Sequence, residues 1–191
     1  MASREQFGEV GFSNLEIGWL VDEIMDAALS LIPGNPSTDG ACLVASMQSD
    51  VATYGELQFI CGSNHWVLAS TVTGKLEVFD SLQLSTLPMP VVRQIFGKYV
   101  TLIEKDEDGE FIHAKMIPLP KQPNFNDCGV YCIAYSFEIT AGGDPQNAIY
   151  LNDSMRPHLI SALQNSELIP FPSKKRRGRK TTAKLTKLRV V

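Results

Sequence analysis

Apolar positions between Asn14 and Ile32 recur at helical spacing through Ile17, Leu20, Val21, Ile24, Ala28 and Leu31, and Pro33-Gly34 ends the pattern. One continuous helix in that register carries Leu15, Trp19, Asp22 and Asp26 on the side away from the apolar stripe. Residues 34–40 form a loop by composition, and Cys42 to Ser46 reads as a short buried strand. Trp66 to Val72 and Leu76 to Phe79 read as two strands joined by a hairpin turn at Thr73-Gly74-Lys75. A helix over Pro90 to Val100, a turn at Asp106 to Gly109 and a strand over Phe111 to Ile117 follow. Pro118, Pro120 and Pro123 then hold the chain extended. Cys128 to Ile139 is apolar on every side, the mark of a central buried helix, with Asp127 placed to cap it. Asp153 to Leu163 gives a last helix, capped by Asp153 or Ser154. Helices and strands mix without regular alternation, so the expected class is α+β.

Composition narrows the setting. The chain has 191 residues, 44% of them hydrophobic, which suits one domain with a sizeable core. No stretch reaches the roughly 20 apolar residues of a membrane-spanning helix. The start, MASREQFGEV, lacks the basic and apolar regions of a secretory signal, which points to an intracellular protein with no membrane partner. In that setting the four cysteines (Cys42, Cys61, Cys128, Cys132) are expected to be reduced.

Charge divides the chain. Nine of the 17 Lys and Arg residues fall in residues 174–191 with no acid among them, leaving 8 basic against 21 acidic side chains before that point. The expectation is a catalytic domain over 1–172 and a basic, disordered tail over 173–191. The run Lys174-Lys-Arg-Arg-Gly-Arg-Lys180 lacks interleaved aromatics, so a nuclear-localisation signal suits it better than a nucleic-acid site. Weak nucleic-acid contact is confined to 174–189, and the expected state is a monomer.

The candidate chemistry centres on Gln122-Pro-Asn-Phe-Asn-Asp-Cys128-Gly-Val-Tyr131. It places Cys128 in the first turn of a buried helix, where unpaired N–H groups and the helix dipole favour a thiolate. Gly129 removes a side chain that would crowd a group approaching the sulfur, and the Gln122 amide can donate to a developing oxyanion. A core cysteine at a helix start is the competing reading of Cys128. His65 opens a strand in Ser-Asn-His-Trp-Val-Leu, whereas His113 and His158 read as surface or satisfied histidines. Asp80 ends the hairpin's second strand, fifteen residues after His65. An antiparallel pair of that length returns the chain beside its start, where a carboxylate can orient an imidazole. A second arrangement of the same residues is a zinc site from Cys61-x3-His65 and Cys128-x3-Cys132, with loose spacing.

Asn64-His65-Trp66, Val78-Phe79-Asp80-Ser81-Leu82 and the Gln122–Tyr131 stretch together resemble the catalytic blocks of the SUMO and Nedd-type deconjugating cysteine proteases. That family shares its core with the adenovirus maturation protease. Gly18-Trp19-Leu20-Val21-Asp22-Glu23-Ile24 resembles the family's Trp-Leu-Asn-Asp helix, with Val21 in place of Asn. The resemblance spans roughly 15–165. It implies a papain-like core, with a central mixed sheet flanked by helices, and a catalytic set of Cys128, His65, Asp80 and Gln122. It also implies a ubiquitin-like protein or its conjugates as partner, a tail-binding tunnel involving Trp19, Asp22, Trp66 and Gly129, and no cofactor or metal. The closing segment, Gly142 to Pro172, resembles versions of the domain in animal transposable elements. Three readings therefore compete with a deconjugating protease: a viral or mobile-element polyprotein protease, a non-enzymatic module binding ubiquitin-like tails, and an acetyltransferase on the same core.

Overall fold

The computed structural model describes residues 13–32, 57–99, 101, 106–178 and 181–190. The strand expected at Cys42 to Ser46 lies outside them. The elements are α1 (Asp22–Ser30), β1 (Leu57–Gly62), β2 (His65–Ser70), β3 (Glu77–Phe79), α2 (Met89–Tyr99), β4 (Phe111–Ile117) and α3 (Cys128–Thr140). A short 3-10 helix (Pro145–Asn147), β5 (Ala148–Tyr150), α4 (Asn152–Asn165), β6 (Ser173–Lys175) and β7 (Lys184–Arg189) complete them. Five strands form one mixed sheet in the order β1-β2-β3-β4-β7, with β3 and β4 parallel and the other neighbours antiparallel. β5 and β6 pair separately.

The sheet is buried on both faces at β1, β2 and β3, and β2 shows why its sequence is a continuous apolar run. Trp66 and Leu68 join the core built on α1, α3 and α4. Val67 and Ala69 join the one beneath α2. Alternate side chains of a strand point to opposite faces, so a strand between two helical layers needs apolar residues at every position. In α3, residues Cys128 to Phe137 are all buried. That helix is the floor of the first core, where each fully buried Leu, Ile, Val or Phe contributes about 1.5–3 kcal/mol.

Three elements differ from the sequence expectation. The helix expected over Asn14 to Ile32 is interrupted, and residues 17–21 lie between a helical turn at 13–16 and α1. Ile17 is exposed and Leu15 buried, the reverse of the continuous register. β1 has no counterpart in the sequence reading. It pairs with β2 across a two-residue turn in which Ser63 and Asn64 both take positive φ, 55° and 56°. That handedness matches the strand twist of a tight hairpin. The tail is not uniformly unstructured: Ser173–Lys175 pairs with β5, and Lys184–Arg189 pairs with β4 along its length. Leu188 buries itself in the second core while the basic side chains of β7 stay outside, so composition hides a strand that one leucine anchors.

The helix caps also differ. Asp127 precedes α3, but its carboxylate makes no cap bond because Arg156 and Asn124 engage both oxygens. α4 starts at Asn152 after Leu151 and has no side-chain cap, so neither Asp153 nor Ser154 is its cap.

Candidate active site

Backbone pairing brings the candidate residues together. The tight turn at Ser63-Asn64 makes His65 the first residue of β2, opposite Gly62. β3 runs back along β2 and delivers Asp80 immediately after Phe79. Because β4 lies parallel to β3, the loop that follows β4 passes beside Asp80-Ser81, and Gln122 N–H donates to the Ser81 carbonyl at 2.8 Å. Cys128 opens α3 a few residues later.

His65 Nε2 and Asp80 Oδ1 are 2.9 Å apart, with both side chains buried. Asp80 is itself fixed, accepting from Leu82 N–H at 2.9 Å and Leu84 N–H at 2.8 Å. Since Asp80 occupies Nε2, Nδ1 is the nitrogen left for the sulfur, and it is buried with no hydrogen-bond partner among the described residues. Burial disfavours the charged imidazole, but the Asp80 hydrogen bond, the Cys128 thiol and the charges of both more than offset it. Together they push His65 up to about 9, so the ring is a cation at neutral pH. Trp66 N–H donates to the Cys128 sulfur at 3.4 Å, a donor aimed at the atom that would carry negative charge. By contrast, burial first and the neighbouring Cys128 second push the Cys61 thiol up to about 12, and Cys132 rises for the same reasons. Those two sulfurs stay protonated. Among the described residues no group of three or more His, Cys, Asp or Glu is arranged to hold a metal.

Gln122 is buried, and its amide is oriented at both ends. Its Oε1 accepts from Ser81 Oγ, and Nε2 donates to the Asn124 carbonyl at 2.7 Å. Nε2 also lies 3.5 Å from Asn124 Oδ1, at the limit of a hydrogen bond, a weak contact that a better acceptor can displace. Ser81 sets which way the amide faces.

The residues expected to line a substrate tunnel take unequal positions. Trp19, in the interruption before α1, is 45% exposed and donates from Nε1 to the Phe125 carbonyl at 3.1 Å. Trp66 is buried and donates from Nε1 to the Leu20 carbonyl at 3.0 Å. Both line a groove of about 360 Å³ with Asn14, Leu20, Asp22 and Asn64. Gly129 faces the protein's own chain: a Cβ there would stand 3.1 Å from Leu20 Cβ and from Met25 Sδ. Its missing side chain admits Leu20 and α1, where the sequence suggested room for an approaching group. The Cys128 residue is 0% exposed, and neither it nor His65 lines the groove. The groove therefore stops short of the sulfur, with Leu20 packed over the start of α3.

Residues that the sequence reading missed are Ser81, Asn124 and Arg156. Arg156, from α4, donates to Asp127 and to four backbone carbonyls around this site. The backbone donor of Trp66 is likewise invisible as a residue type.

Comparison with known proteins identifies the family and the fold. The model of the Ulp1 protease family, C-terminal catalytic domain, matches residues 57–170. A search of the curated proteins finds no match. Among solved structures, the chain resembles the SUMO protease Ulp1 with its catalytic cysteine oxidised to a sulfenic acid, at 18% identity and TM-score 0.56. That match covers 86% of this chain and 90% of the other. It also resembles the C-terminal Ulp1 protease domain in complex with Smt3, the yeast ortholog of SUMO, at 20% identity and TM-score 0.56. The alignment covers 82% of this chain and 81% of that one. At such identity these likenesses establish the α+β fold, and the family model carries the assignment. The chain belongs to the Ulp1 protease family and is a cysteine-type peptidase of the class that acts on ubiquitin-like proteins.

Proposed function

We propose that this protein cleaves after the Gly-Gly end of SUMO, a Nedd-type modifier or ubiquitin, releasing it from a conjugate or precursor. The observation that carries the reading is the buried His65–Asp80 pair, with Cys128 at the start of α3 on the ring's free side. The Cys128 thiolate attacks the carbonyl carbon of the terminal glycine, and the C–N bond breaks as His65 hands its proton to the leaving amine. Water, deprotonated by His65, then hydrolyses the thioester, which frees the carboxylic acid and restores the Cys128 thiolate beside a protonated His65. Asp80 holds the ring's orientation and steadies its positive charge. The Cys128 N–H and the remaining Gln122 amide N–H are the donors for the oxyanion.

A Gly-Gly tail has no side chains, so it fits a narrow path between Trp19 and Trp66 that bulkier residues cannot follow. The covered sulfur requires Leu20 to yield when the tail arrives. A solved relative that holds Smt3 supports a folded ubiquitin-like partner. The chain acts on this partner as a monomer, and the basic residues 174–180 direct the protein to the nucleus. SUMO, Nedd8-type and ubiquitin probes ending in a Gly-Gly vinyl sulfone test this reading. One of them should add covalently to Cys128, and a folded protein that reacts with none contradicts it.

A further inference from the structure

We propose that Arg156 is a positioning residue that fixes the Trp19 side of the substrate groove against the loop leading into Cys128, by tying both segments to one guanidinium. Arg156 lies on α4 and is only 9% exposed. Nε donates to Asp127 Oδ1 at 2.6 Å, and one terminal nitrogen donates to the carbonyls of Asn14 at 2.7 Å and Leu15 at 2.9 Å. The other donates to the carbonyls of Gly18 at 2.5 Å and Asn126 at 3.0 Å. Asn14, Leu15 and Gly18 belong to the segment that carries Trp19. Asn126 and Asp127 belong to the loop that carries Gln122 and leads into Cys128.

A guanidinium has five N–H groups in a fixed plane, so its bonds to two segments fix their separation and relative orientation. The cross-links between these two segments, Trp19 Nε1 to the Phe125 carbonyl and Asn126 Nδ2 to the Ile17 carbonyl, sit outside that hub and depend on the same spacing. A buried cation also needs its one carboxylate partner, which explains why Asp127 forgoes capping α3. Lysine can replace the charge beside Asp127 but cannot reach carbonyls in two directions.

The kinetic arm of the test rests on the proposed activity, whereas the optical arm does not. On a Gly-Gly aminocoumarin substrate, Arg156→Lys should keep kcat within about two-fold while KM rises about ten-fold, because the Asp127 contact survives and the Trp19 wall loosens. Arg156→Met should lose both. In a Trp66→Phe background, acrylamide quenching of Trp19 should increase in Arg156→Lys at temperatures where circular dichroism shows the variant folded. Unchanged quenching with unchanged KM, alongside a lowered Tm alone, would overturn the proposal and leave Arg156 as simple core support. Raised quenching in a protein that turns over no substrate would sustain the positioning role and sink the activity instead.

Discussion

His65 Nε2 meets Asp80 Oδ1 at 2.9 Å, and the same carboxylate accepts two backbone N–H groups from Leu82 and Leu84. The acid is thus immobilised before it orients the ring. Replacing Asp80 by Asn presents a neutral partner and, because an amide NH2 cannot accept from a backbone N–H, gives up one of these two anchors, so kcat should fall by about 10³–10⁴-fold. Steady-state kinetics on a Gly-Gly substrate measure this, and a loss confined to KM would contradict the role given to Asp80.

The pH profile follows from the same pair. His65 titrates at about 9 in the fold, above its ordinary value of 6.5. Activity that needs the imidazolium should therefore decline as pH rises through about 9, and in Asp80→Asn the decline should move toward the ordinary histidine range. Stability runs in the same direction: the folded state holds the proton more tightly than the unfolded chain, so the contribution is complete below 6.5 and disappears through about 9. Tm measured across that window should fall more in the wild type than in His65→Gln.

Leu20 packs against Gly129 at the start of α3, and the adjoining Cys128 is fully buried. Truncating Leu20 to Ala should open a path and raise the rate of Cys128 alkylation by chloroacetamide about ten-fold, read by peptide mapping. Cys61 and Cys132 should stay slow, since burial keeps both thiols protonated. An unchanged rate at Cys128 would mean that something other than Leu20 closes the groove.

Ser81 fixes the Gln122 amide by donating to its Oε1. Losing one oxyanion donor costs about 10²–10³-fold in kcat, so Gln122→Ala should fall in that range. Ser81→Ala should lose less, about ten-fold, because the amide remains but turns more freely. Equal losses in the two variants would point to a structural role for both.

Much of the fold was legible because its signals are local. The apolar surround of α3, the turn at Gly74 and the order of His65, Asp80, Gln122 and Cys128 are all visible as residue types at fixed distances. Gly74 does take a positive φ of 77° in the turn after β2. What escaped depends on backbone atoms or on distant partners. A helical period drawn through Asn14 to Ile32 cannot register the interruption at Gly18, although a glycine in mid-pattern was a hint. There the backbone comes so close to Asn14 that a Cβ would stand 2.2 Å from Asn14 Oδ1. β1 was hidden because its turn, Ser63-Asn64, contains no glycine. Arg156 reads as one more polar residue beside a proline, and its five bonds reach segments 29 to 142 residues away. β7 was obscured by its lysines and arginine, since a strand covered on one side by a single buried leucine has little apolar pattern to show.

In the proposed reaction Cys128, activated by His65 and Asp80, attacks the bond after a ubiquitin-like Gly-Gly end. The most direct measurement is initial-rate release of aminocoumarin from SUMO, Nedd8-type and ubiquitin C-terminal substrates by the wild type and by Cys128→Ala. The wild type should turn over at least one substrate and the variant none. Equal release by both proteins, or none by a folded wild type on any of the three, would contradict it.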